Sequence, residues 1–151
     1  YDFGFNDAPF VSPEHFSEFV TPYLAELVQT AHDLSKIMIL HSDGCLTKIL
    51  DQLYGTGLDG YQSVDPQGHM ELKAVRDQYP DWLLMGNVNC AMMQDGPEER
   101  IRSAVRGCME DGGIGKRFIL STSNCIFHGM PANHYRIMVD EYRACLREIG
   151  A

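Results

Sequence analysis

Lys36 to Gly44 reads KIMILHSDG. Ile37, Met38, Ile39 and Leu40 form an apolar run too short for a helix, with a helical pattern before it and a glycine soon after. Such a run predicts a strand buried on both faces, the kind found in parallel sheets. It stops at His41, Ser42 and Asp43, three polar side chains that are costly in a core but suit the floor of a site. In α/β proteins ligands sit beyond the carboxyl ends of the strands. The useful question is whether other strands of this chain end the same way.

Upstream, Tyr1 to Phe5 alternates large apolar residues with Asp2 and Gly4 and reads as the end of a strand. The chain opens on tyrosine rather than methionine, so a piece of a longer protein is expected. Ser12-Pro13-Glu14 is a helix start, with serine as N-cap and proline at the first helical position. Phe16, Phe19, Val20, Tyr23, Leu24, Leu27, Val28 and Ala31 then recur at three- and four-residue steps, predicting an amphipathic helix to about Leu34, kinked at Pro22. Downstream, helices are expected over Leu46–Tyr54, Met70–Gln78, from Gly96-Pro97 onward, and from Pro131 onward. Strands are expected over Gly60–Val64, Trp82–Met85 and Phe118–Leu120, with a glycine-rich turn at Asp111–Gly115. Strict alternation of short strands and helices implies a parallel sheet with right-handed crossovers. The 151 residues suit a single domain.

The net charge of −9 excludes a general binder of nucleic acid or anionic membrane. No apolar run approaches a membrane span in length. Five scattered cysteines with no CxxC pair read as reduced thiols in a cytoplasmic protein.

Four strand ends carry small polar or titratable groups: His41-Ser42-Asp43; Asp65 with Gln67 and His69; Asn87-Val88-Asn89-Cys90; and Ser121-Thr122-Ser123-Asn124-Cys125. In a parallel sheet all four point to one mouth. His41 and Asp43 there are candidates for metal ligands or an acid–base pair. Asn87 and Asn89 suit either substrate carboxylates and amides or turn chemistry. His69 is a further ligand-contact candidate. Cys45, Cys108 and Cys145 read as packing residues.

HSDG, GNVNC and STSNCIFHGMP at the strand ends, with SPEHFSEFVTPYL and GHMELKAVRDQYPDWLL ahead of the first and third, resemble the uroporphyrinogen decarboxylase superfamily. The resemblance runs in order over essentially the whole chain. It implies a (β/α)8 TIM-barrel fold of which this chain is only the carboxyl-terminal half, about four βα units. It also implies two chemistries. One is cofactor-free decarboxylation of a uroporphyrinogen-type tetrapyrrole. The other is methyl transfer between a corrinoid protein and a thiol such as coenzyme M, with zinc activating the thiol. The methyltransferases carry His-x-Cys and a later cysteine; here Asp43 stands at the second position, and Asn124 and Cys125 at the third. A zinc set of His41, Asp43 and Cys125 is therefore the expectation for methyl transfer. Ser123 stands nearest the histidine that the decarboxylases carry after their last strand, giving His41, Asp43 and Ser123 as the catalytic candidates. Asp65, His69, Asn87, Asn89 and Asn124 are the substrate-binding candidates. Half a barrel exposes strand edges, so a homo-oligomer such as a homodimer, or a complementary amino-terminal half, is expected as partner. A non-catalytic assembly module remains the third reading.

Overall fold

The computed structural model describes residues 2–113 and 115–150. Four parallel strands, β1 (Ile39–His41), β2 (Gly60–Gln62), β3 (Leu83–Val88) and β4 (Phe118–Thr122), lie side by side in chain order. The register pairs His41 with Gln62, Gln62 with Met85 and Met85 with Ile119. Helices return each strand to its neighbour: α3 (Leu50–Gly55), α4 (Leu72–Gln78) and α6 (Glu98–Gly112), with α7 (Ala132–Glu148) after β4. This is the parallel α/β architecture that alternation predicts.

Side chains of a strand alternate between faces. One face of the sheet meets the helices and forms the core: Tyr61 and Leu84 are fully buried there with Leu46, Leu53, Trp82, Ile101 and Val105. The buried indole of Trp82 donates to the Leu58 carbonyl (2.8 Å), which satisfies its one polar atom. Arg76 of α4 is also buried. Among the described residues its guanidinium has no acidic partner and donates instead to the carbonyls of Pro80, Trp82, Gly112 and Arg117 (2.8–2.9 Å). It thereby ties α4 to the amino-terminal ends of β3 and β4. Glu141 of α7 is buried against α6, where Arg102 (2.8 Å) and Arg106 (2.5 Å) meet its carboxylate.

Several local expectations are corrected. The strand expected at Tyr1–Phe5 is a turn with an isolated bridge between Gly4 and Pro9; Tyr1 lies outside the described residues. Pro22 does more than kink the first helix. Its ring excludes a helical hydrogen bond, and the chain divides at Val20 into α1 (Pro13–Phe19) and α2 (Thr21–Asp33). Phe16, Leu24 and Val28 are buried, but Phe19, Tyr23 and Leu27 are 57–65% exposed. β1 is only half-buried, because it is a sheet edge rather than a central strand. The turn at Asp111–Gly115 begins later than expected, since Asp111 and Gly112 still belong to α6; Ile114 lies outside the described residues. Among the described residues no helix is long and apolar enough to cross a membrane.

Candidate functional site

The segment after β1 is fixed by backbone demands. Gly44 has φ of 80°, and a Cβ there would stand 2.4 Å from the Gly4 carbonyl oxygen. Only glycine allows that approach. The buried Ser42 hydroxyl accepts the Phe3 N–H (2.8 Å), and the Cys45 N–H donates to the Phe5 carbonyl (2.7 Å). The Phe3 ring then stacks edge-on against Phe16. These contacts fold residues 2–10 back along the loop after β1 and deliver Asp2 to the mouth.

His41, Asp43 and Asp2 meet there. Nε2 of His41 lies 3.8 Å from Asp2 Oδ1 and 3.7 Å from Asp43 Oδ2, and the Asp43 N–H donates to Asp2 Oδ1 (3.0 Å). One ligand atom from each residue falls within 4.8 Å of the others, the one such cluster among the described residues. The Asp43 carboxylate is held from both sides. Ser63 Oγ donates to Oδ1 (2.6 Å), and the Asn124 side-chain amide donates to Oδ2. Burial pushes the Asp43 carboxyl above its ordinary range, while Ser63 and His41 pull it down and Asp2 and Asp65 push it up. Ser63 and Val64 both adopt positive φ, 109° and 48°. Such backbone is strained for residues with a side chain, and here it turns Ser63 toward Asp43.

Adjoining this cluster, and sharing His41 with it, lies a cavity of about 510 Å³. Ile39 and Met85 give it an apolar floor; His41, Gln62, Asn124 and Cys125 stand around it. Gln62 bridges two strand tips, bonding His41 Nδ1 through its carbonyl oxygen and donating its amide to the Ser123 carbonyl (3.3 Å).

The remaining candidates are placed differently. Cys125 lines the cavity, but its thiol is outside the cluster, and Asp2 takes the third place. Ser123 is buried and contributes its backbone carbonyl; its hydroxyl has no partner among the described residues. Asp65 is buried and uses both carboxylate oxygens on backbone, accepting from Gly44 (3.0 Å) and Gln67 (2.9 Å). Asn87 donates to the Val64 carbonyl (2.8 Å) and accepts from the Cys108 thiol (3.3 Å), which turns it toward α6. Asn89 caps a short helix, α5 (Cys90–Asp95), by accepting from Ala91 (2.8 Å). His69 closes a 3₁₀ turn in left-handed conformation, largely exposed, 3.5 Å from Asp7. Sequence reasoning missed Asp2, Ser63 and Gln62. For Gln62 a signal existed: aligning the two strand tips sets it beside His41 on the same face.

A methyltransferase from Methanosarcina mazei superposes with a TM-score of 0.75 at 22% identity, over 89% of this chain and 38% of that one. Identity that low shows the fold alone, and the chain spans well under half of that protein. No curated protein sequence matches. The profile described as uroporphyrinogen decarboxylase (URO-D) matches residues 6–145. On that match, which covers nearly the whole length, the chain belongs to the uroporphyrinogen decarboxylase family.

Proposed function

We propose that this chain forms one side of a zinc-dependent methyltransferase site, in which a methyl group passes between a corrinoid carried by a partner protein and a thiol. The observation that carries the reading is the convergence of Asp2, His41 and Asp43 beside the cavity that His41 lines. Two zinc ligands at tetrahedral angles stand about 3.4 Å apart. His41 Nε2 stands 3.8 and 3.7 Å from the two carboxylate oxygens and all three atoms lie within 4.8 Å, so a bound zinc would draw them together by a few tenths of an ångström to about 1.4 Å. Three protein ligands are the number a catalytic zinc site uses, whereas structural sites close with four. One imidazole and two carboxylates are a harder donor set than one containing cysteine thiolates.

Zinc, when bound, supplies a Lewis acid that keeps a thiol deprotonated near neutral pH. The chain's own residues do the rest. Ser63 and Asn124 fix the Asp43 carboxylate, and Ile39 and Met85 present an apolar wall on which a methyl or thioether group can rest away from water. Decarboxylation of a polycarboxylated tetrapyrrole fits this side of the cavity less well. Among the described residues, those lining it include no lysine or arginine, while Asp2 and Asp43 stand at the mouth and repel a polyanion.

Dialysis against zinc followed by metal analysis tests the reading. About one zinc per chain is expected, lost in His41→Ala and Asp2→Ala and retained in Cys125→Ser. A wild-type chain that holds no zinc, or zinc that survives His41→Ala, overturns it.

The reading extends to assembly. Among the described residues β1 and β4 are the edges of the sheet, and Ile119 on β4 is 45% exposed. Unpaired edges recruit further strands, and four strands do not close a barrel. A second copy or an amino-terminal half-barrel would complete the cavity.

A further inference from the structure

Gln62 lies between the His41 ring and the Ser123 carbonyl. An imidazole presents only one lone pair in its neutral form, and the partner of the other nitrogen decides which. Gln62 touches both a carbonyl and an imidazole. The Ser123 carbonyl can only accept, so the end of the Gln62 amide that faces it, 3.3 Å away, must be the NH₂ group. The opposite end, the carbonyl oxygen, then faces His41 Nδ1. A carbonyl oxygen cannot donate, so Nδ1 must carry the proton. Nε2 is left with the lone pair, and Nε2 is the atom that faces Asp2 Oδ1 and Asp43 Oδ2. The chain of constraint runs from a main-chain carbonyl after β4, through a side chain on β2, to a ring on β1.

We propose that Gln62 is a positioning residue that holds His41 in the Nδ1–H tautomer and so presents Nε2 to a cation. The tautomer claim stands on the hydrogen bonds alone; its consequence for zinc rests on the metal reading above. Register supports it, because His41 and Gln62 are direct partners on adjacent strands and face the same cavity.

Nitrogen-15 NMR of the metal-free chain at alkaline pH tests the claim, with His41 assigned by comparison with His41→Ala. The wild type is expected to show His41 protonated on Nδ1 and bare on Nε2. Gln62→Leu removes the acceptor and shifts the ring toward the Nε2–H form. Gln62→Glu keeps an acceptor and preserves the wild-type tautomer, which guards against loss of folding in the leucine variant. In zinc titrations Gln62→Leu is expected to bind about 10- to 100-fold more weakly, with Gln62→Glu within a few-fold of wild type. An Nε2–H ring in the wild type, an unchanged ring in folded Gln62→Leu, or an Nε2–H ring in Gln62→Glu overturns the proposal. Absence of zinc binding with the tautomer pattern intact sinks the metal reading and leaves the orienting role of Gln62 standing.

Discussion

The Asn124 side chain, just beyond the last strand, donates a hydrogen bond to the Asp43 carboxylate, just beyond the first. The two residues are 81 positions apart and belong to opposite edges of a four-stranded sheet. A flat sheet would hold those edges about 14 Å apart, three strand spacings. The contact therefore reports that the segments following the two outer strands lean toward each other across the sheet end.

Asp43 makes stability depend on pH. Its carboxyl is raised above the ordinary aspartate value of 3.8, chiefly by burial. Just above that pH the folded chain holds a proton that the unfolded chain has released. Unfolding stability then falls as pH rises from 3.8 through the raised value. Asp43→Asn should remove that slope while its carbonyl keeps the bond from Asn124. Urea unfolding of both proteins across the mildly acidic range checks it; parallel curves would refute it.

Arg76 should be among the least replaceable residues outside the site. Arg76→Met keeps much of the apolar stem and takes the side-chain donor from four carbonyls, of which that of Arg117 still accepts from the Leu84 N–H (3.0 Å). At roughly 1–3 kcal/mol for each buried group left unsatisfied, with water or rearrangement relieving some, a loss of about 3–5 kcal/mol is expected. Chemical denaturation reads it directly, and a loss below about 1 kcal/mol contradicts the role.

Gly44→Ala should damage the site before the core. Its Cβ would collide with Gly4 backbone, pushing residues 2–5 and hence Asp2 away from His41. Zinc binding should weaken at least about tenfold while the far-UV circular dichroism stays that of the wild type. Undiminished zinc affinity would show that Asp2 is not a ligand.

Phe19, Tyr23 and Leu27 stand four residues apart on one exposed stripe of α1 and α2. The wild-type chain should elute above monomer size, and the double variant Tyr23→Glu/Leu27→Glu should move toward the monomer. A monodisperse wild-type monomer counts against the assembly reading.

The order of strands and helices was legible in the sequence because the apolar runs are short and cleanly punctuated. Strand tips were legible as a set: His41 and Asp43 do converge, with Asn124 beside them. The sorting among tip residues was not legible. Asp65, Asn87 and Asn89 carry side chains fit for ligands, yet backbone groups use them first, because every buried N–H and carbonyl needs a partner. Asp2 was hidden because its place depends on a turn whose only cue is Gly4 against Gly44. The helix stripe misled because periodicity marks an apolar face without saying whether this part of the chain covers it.

Arg76 grips the sheet at the ends where strands begin, whereas His41, Gln62 and Asn124 stand where strands finish. Rigidity and reactivity are thus housed at opposite poles of the same layer. Residues at the mouth can be exchanged for others without loosening the rivet beneath them, which makes this scaffold tolerant of new chemistry at its tips.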